Sequence, residues 1–483
     1  MSSTPETPPR DRPLLVLITS HWLSYLGMGL VGTALISWLF VLPVQARGHV
    51  DNPYIGILVF IMIPAIFFAG LGLIPLGIFL GRRRIRKGLA QAITDPKLAL
   101  RRLGIFLGSA TLVNLIVGTQ FTYRAVEHME SVQFCGQTCH VMTPEFSAFQ
   151  NSPHSRLQCV DCHVAPGVEG WVASKVAGSR QLMGVILNNY HRPIASALES
   201  DRLVPASETC ERCHWPDKFS GARLVVKPKY ADDEANTESQ TVLTMLIGGN
   251  KIRGIHGSHF GPGVKIRYAA ADRKRQTIPW VEYANSATGQ KREYLATDAP
   301  RESVKDLPIH EMQCVDCHNR PTHTFELPEH GVDKALAQGE IPVSLPYLKK
   351  QSVQILKASY ASNAEASARI PAALTDYYRQ NHSSLFQQRS REIESAGAAL
   401  ASIYNRNVFP DLKVTWGTYP NNLGHTDFPG CFRCHDERKE SNSSQTLTQD
   451  CSACHEMLAE QETSAKILET LGVAGRLKEM KKQ

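Results

Sequence analysis

Cys159-Val160-Asp161-Cys162-His163 is the stretch from which this chain is read. Two thiols three residues apart with an imidazole directly behind them match the spacing of c-type haem attachment. The cysteines reach the two vinyl groups of one porphyrin, and the histidine swings under the iron as its proximal ligand. The pattern returns at Cys210/Cys213/His214, Cys314/Cys317/His318, Cys431/Cys434/His435 and Cys451/Cys454/His455. A wider form, CGQTCH, stands at Cys135/Cys139/His140, with three residues between the cysteines. Together these use all 12 cysteines of the 483-residue chain. Only 18 residues are histidine, so six adjacent ones by chance is an event on the order of one in 10⁸ to 10⁹. Six covalently bound c-type haems are therefore expected. Structural zinc would join two such knuckles on one metal with no need for the adjacent histidine, and a redox disulfide would use a single pair. No zinc site is expected.

Apolar residues gather near the start. Residues 14–42, 53–81 and 103–123 contain no Asp, Glu, Lys or Arg, and each exceeds the roughly 20 residues needed to cross a bilayer. They predict a three-helix membrane domain over 14–123, behind a cytoplasmic N-terminus of residues 1–13. The first span is too long, and too poor in small residues at a cleavage position, for a removable signal peptide. The loop 82–102 holds Arg82, Arg83, Arg84, Arg86, Lys87, Lys97, Arg101 and Arg102 against Asp95 alone, which equals the chain's formal net charge of +7. By the positive-inside rule this loop is cytoplasmic, so every haem motif falls outside the cytoplasm. A basic loop wedged between two spans does not read as a nucleic-acid site. Gly27, Gly29 and Gly32 spell GxGxxG, yet they lie inside a membrane span, where small residues let helices approach. Neither flavin nor NAD is expected. Pro64 and Pro75 should kink the second span, and His21 reads as an interfacial hydrogen-bonding residue.

The fold class expected is mainly α: three N-terminal transmembrane helices and a haem-packed periplasmic cytochrome domain with a small β-rich insert. Three motifs crowd into 124–220, too little chain for an ordinary core, so the haems themselves should form it. Short alternating runs over 221–300 predict the insert, with strands at 223–226, 264–268, 278–283 and 292–295. A fourth haem segment follows at 301–330. Helical periodicity marks a bridge over 331–410, strongest at 348–360, 364–380 and 390–404. A two-haem segment closes the chain at 411–483, its residues 456–482 reading as one exposed amphipathic helix.

Each iron has a second axial position. Ten histidines beyond the third span stand outside the motifs: His128, His154, His191, His256, His259, His310, His323, His330, His382 and His425. The favoured ligands are His154 just before the second motif, His256 and His259 in GIHGSH, His323 in CHNRPTH, His425 just before the fifth motif, and then His191. His330 and His382 read as ordinary surface histidines. Met142, two residues after His140, offers a thioether at the first motif.

FCGQTCHVM at 134–142, NSPH at 151–154, CVDCHVAPG at 159–167 and a lysine twelve residues after His163 resemble the NapC/NirT family of membrane-bound quinol dehydrogenases. The resemblance covers under a quarter of the chain, from the third span to about His214. It implies a first haem at the membrane surface ligated by Met142, beside a quinol site that includes Lys175. The family's acidic residue about seven positions beyond that lysine is missing. Gln181 and Leu182 stand there, leaving Arg180, Gln181 and Glu145 as nearby candidates for handling quinol and its protons. Four haems and one span are the family pattern, so three spans and six motifs are more similar to its larger inner-membrane members in bacteria that respire insoluble acceptors.

The function implied is oxidation of quinol, menaquinol included, by relaying single electrons to a periplasmic redox protein such as another cytochrome c. Twelve ionised propionates would make the haem domain acidic and favour a basic patch on that partner. Two alternatives stay open: a terminal reductase with an open-site haem, and a passive conduit or anchor subunit of a larger respiratory complex. Homo-oligomerisation is open too.

Overall fold

The computed structural model describes residues 17–46, 63–87, 95–138, 140–200, 203–215, 221–249, 254–441, 445–473 and 475. Two compact units emerge: Met1–Ser131 with Lys175–Gln181, and Val132–Ser174 with Leu182–Gln483. Helices of eight or more residues are numbered here in chain order.

In the first unit, α1 spans Trp22–Ala46, α2 Ile63–Arg86 and α3 Pro96–Glu130. Two stretches, Ile63–Arg86 and Lys97–Ile116, are long and apolar enough to cross a membrane, while the described apolar part of α1, Trp22–Ser37, is shorter than a span. Ser20 Oγ bonds back to the Leu17 carbonyl at 2.6 Å, and His21 Nδ1 accepts the Leu23 N–H at 3.2 Å, so His21 caps α1. Residues 14–16 and 53–62 lie outside the described residues. α3 outruns its expected span at both ends. It starts on Pro96 behind an Asp95 N-cap and continues to Glu130.

Glycine carries the α1–α2 contact. A Cβ at Gly27 would lie 2.6 Å from the Gly70 carbonyl oxygen, and one at Gly70 would lie 2.7 Å from that of Gly27. Gly77 and Gly81 press in the same way on Ser24 and Ser20. Of the GxGxxG glycines, Gly27 makes this close approach, whereas a Cβ at Gly29 would only touch Phe106 at 4.0 Å and one at Gly32 would meet nothing within 4 Å. Tyr25 meets Phe106 edge-on at 4.8 Å, and Thr33 bonds Asn114 at 3.1 Å, which joins α1 to α3. Phe68, Phe79, Ile105 and Leu112 are each more than half exposed along these helices.

In the second unit, α4 (Thr143–Gln150) follows the first motif, and α5 (Gly167–Ile186) leaves the second motif and lends residues 175–181 to the first unit. Among the described residues, no hydrophobic cluster forms within 132–215. The largest core lies in the helical bridge, where α6 (Pro328–Ala337), α7 (Leu348–Leu356), α8 (Asn363–Asn381) and α9 (Ser383–Asn407) bury Leu336, Leu348, Ile370, Leu374, Ile393 and Leu400.

The β-rich region is not a self-contained insert. β1 (Ala222–Tyr230) pairs with β2 (Glu238–Leu246), which pairs with β8 (His455–Glu462), all antiparallel. A second sheet runs β6-β3-β4-β5-β7, from β3 (Val264–Ala269), β4 (Trp280–Asn285), β5 (Gln290–Ala296), β6 (Ile309–Glu311) and β7 (Lys439–Ser441). β6 runs into the fourth motif, β7 follows the fifth, and β8 begins on the sixth motif's own histidine. The exposed helix expected over 456–482 is therefore corrected. Its first part, through Glu462, is a strand whose Ala459 buries against Val242, and Lys466–Thr470 forms a short helix after it. Cross-strand packing overrides the helical composition of that segment.

Candidate functional site

Five motifs wind into one helical turn. Cysteines at i and i+3 and a histidine at i+4 share a face of such a turn. The histidine N–H returns to the first cysteine's carbonyl in four of them: His163 to Cys159 at 3.1 Å, His214 to Cys210 at 2.8 Å, His318 to Cys314 at 2.8 Å and His435 to Cys431 at 3.1 Å. The first motif differs as its length requires. Phe134–Thr138 forms a π-helical turn, which absorbs one extra residue without breaking the helix. Gly136 sits under Phe146, where a Cβ would come within 2.2 Å of the ring. Cys139 and the His140 side chain fall outside the described residues.

The structure brings five motif histidines each against a second histidine. Ring centres lie 5.9 Å apart for His154 and His214, 6.2 Å for His163 and His323, and 6.3 Å for His256 and His318. They lie 5.9 Å apart for His259 and His435, and 6.2 Å for His425 and His455. Two metal–imidazole bonds of about 2 Å, with about 1 Å from each nitrogen to its ring centre, sum to about 6 Å. Each pair thus has the spacing of two axial ligands on opposite faces of one iron. The hydrogen bonds fit as well. The Nδ1–H groups of His323, His259 and His435 donate to the carbonyls of Glu145 (2.9 Å), Ile255 (2.7 Å) and Thr448 (2.9 Å), which leaves Nε2 as the nitrogen with a lone pair. Nδ1 of His154 and of His455 is buried without a partner.

The motifs follow one another in space. Hydrogen bonding to Cys135 pushes the Cys159 thiol up, and burial adds to it. Burial raises Cys162, with Cys210 and Cys213 close by, and raises Cys314, with Cys210 close by. Cys317 is pushed up to about 12 by burial against the opposing Arg433, with Cys431 and Cys434 beside it. Cys454 is raised by burial and then by Cys431 and Cys451. Motifs one to six thus form an unbroken succession of neighbours.

Other sequence candidates lie elsewhere. His191 is exposed, lines a cavity of about 200 Å³ with Pro193, Arg273 and Tyr419, and makes no ring contact with a motif histidine among the described residues. His330 pairs with Asp427 at 2.9 Å, and His382 sits among Tyr347, Tyr377 and Tyr378. Met142 ends the short turn His140–Met142 and is 37% exposed. Glu145 is buried, ion-paired with buried Arg320 at 3.4 Å, so its carboxylate is already engaged. Arg180 and Gln181 stand exposed on α5. Lys175, on the same helix, meets Glu130 at the end of α3 at 3.1 Å. Sequence reading missed Glu130, whose only signal was a carboxylate five residues ahead of Cys135.

Repeated attachment turns with paired imidazoles, in a chain that also carries apolar helices long enough to cross a membrane, define a membrane-anchored multihaem c-type cytochrome. The chain belongs to the NapC/NirT cytochrome c family: the family's N-terminal region matches residues 99–243. It is 39% identical over 445 residues to the cytochrome c-type protein ImcH of Geobacter sulfurreducens, covering 90% of this chain and 86% of that one. The cytochrome c-type protein TorC of Escherichia coli K12 is 28% identical over 149 residues (26% and 34%). The cytochrome c-type protein NrfH of Wolinella succinogenes is 28% identical over 94 (19% and 52%). No solved structure matches the chain.

Proposed function

We propose that the protein oxidises quinol at its membrane unit and passes the electrons singly through six haems to a soluble redox partner. The observation that carries this reading is the succession of six neighbouring motifs, five with a second histidine at about 6 Å. Bound haem supplies a series of one-electron iron acceptors. Paired imidazoles favour a relay over a terminal reductase, because a reductase needs one iron with an open position.

Quinol loses two electrons and two protons. Lys175 hydrogen-bonds one quinol oxygen, and Glu130, its ion-pair partner, accepts a proton and takes the place of the acid missing from position 182. Arg180 and Gln181 border the same helix. Glu145 is assigned to holding His323 instead. At the first motif, Met142 or His140 would supply the ligand to bound haem iron, since two residues of chain span only about 7 Å. The N-terminus and basic loop lie in the cytoplasm, the first apolar helix completes a third span, and the haem domain is periplasmic. The positive-inside argument supports that orientation.

Adding a menaquinol analogue to the detergent-extracted protein while following the haem absorbance bands tests the reading. Wild type is expected to be reduced by quinol. K175A and E130Q are expected to be reduced about 10- to 100-fold more slowly, with dithionite reduction unaltered. Failure of quinol to reduce the wild type would overturn the reading, and unchanged rates in both variants would overturn the site.

A further inference from the structure

We propose that the six-residue helix Ile255–Phe260 is a clip for two haems, in which His256 supplies the second axial ligand at the fourth motif and His259 that at the fifth. This rests on the c-type haem reading of those motifs but not on quinol oxidation.

The two histidines are three residues apart, neighbours on one helical turn with Cβ atoms about 5 to 6 Å apart. Yet they face different partners: His256 faces His318 at 6.3 Å, and His259 faces His435 at 5.9 Å. One turn of backbone thus ties two irons whose own motifs lie far apart in the chain. The turn is fixed at both ends. The His256 N–H donates to the Ile247 carbonyl at 2.7 Å, just past β2. Gly254, with φ +149°, lies so close to that strand's end that a Cβ would sit 2.6 Å from the Leu246 carbonyl and the Gly248 nitrogen. Downstream, Val264 N–H bonds the Gly261 carbonyl at 2.9 Å as β3 begins. The helix therefore hangs between the two sheets.

The opposite ligands are locked to one another. Arg433, inside the fifth motif and buried, donates to the Asp316 carbonyl inside the fourth at 2.5 Å and to the Arg275 carbonyl at 2.8 Å. Asp316 takes Arg275 in a buried ion pair at 3.0 Å and also bonds Tyr268 of β3. The fourth and fifth motifs are one rigid block on the proximal side, and the clip matches it on the other. The β-rich segment is thus the element that completes these two centres.

Glycine exchanges leave holes that free imidazole fills, so H256G, H259G and the double variant are purified and reduced with dithionite before carbon monoxide is added. Each single variant is expected to bind one equivalent of carbon monoxide per chain more than wild type and the double variant two more, with millimolar imidazole suppressing the added binding. H382G is expected to bind no more than wild type. A double variant that opens one haem would place both histidines on the same iron and overturn the clip, as would single variants that open none. If the glycine variants lose haem, H256M and H259M each should raise the potential of one haem, and an unchanged titration in both overturns the proposal.

Discussion

His323 holds its Nδ1 2.9 Å from the backbone carbonyl oxygen of Glu145, a residue 178 positions earlier in the chain. The Glu145 carboxylate lies 3.5 Å from the same ring and is anchored by Arg320, whose guanidinium stacks on Tyr419 at 4.0 Å. The ring that faces His163 is thus oriented by a backbone acceptor and a buried charge pair. E145Q keeps the carbonyl and removes the charge. It strands Arg320, a loss on the scale of about 3 kcal/mol for a broken buried pair. It also removes a negative charge that favours ferric over ferrous iron at the second motif. One haem potential is expected to rise in a spectroelectrochemical titration, together with a lower Tm. A lower Tm with every potential unmoved would make Glu145 purely structural.

Acid stability turns on Glu282. Its carboxylate is buried in β4, and burial alone would raise its pKa. Lys291 at 3.0 Å and Arg267 at 2.6 Å overcome that and hold it below its ordinary value of 4.5. A carboxylate depressed on folding contributes stability that is present above its unfolded pKa and lost as pH falls through the folded one. E282Q is expected to lose about 1 to 3 kcal/mol at pH 7, the scale of a charge-assisted hydrogen bond. Below pH 4.5 the wild type surrenders the same contribution, so the two melting temperatures should converge. Thermal melts followed by circular dichroism at several pH values check this, and a gap that stays constant into acid would assign the loss to another cause.

The haem motifs were legible because attachment chemistry is local, fixing cysteines and histidine within five residues. The pairing of second histidines was not, since it depends on sheets that bring His259 to His435 and His425 to His455. His154, His256, His259, His323 and His425 were picked out by nearness to motifs and by glycine-flanked turns. His191 came next for following Asn188-Asn189-Tyr190, and it stands exposed. α8 and α9 could be read from periodicity alone, because α8 and α9 bury Leu374 and Leu400 on repeating faces. β2 went unseen because Glu238, Ser239, Gln240 and Thr241 hide its alternation, and β8 resembled a helix until its partner strand was known. Glu130 escaped because its meaning lies in Lys175, brought to it by folding.

The contact between α1 and α2 offers the last prediction. Lipid supplies no hydrophobic drive to join two apolar helices, so they associate through close backbone packing. Gly27 and Gly70 are the points of closest approach, each with its Cβ position within 2.7 Å of the other's carbonyl oxygen. Gly70→Leu forces the helices apart at backbone, which cannot yield as a side chain does, for a cost of about 1 to 3 kcal/mol. Gly32→Leu lies in the same helix as Gly27, but its Cβ position meets nothing within 4 Å. The first substitution should lower the yield and Tm of detergent-extracted protein, whereas the second should leave both near wild type. Equal loss in the two would mean that bulk anywhere in α1 or α2 is harmful, and that the glycine contact has no special part in joining them.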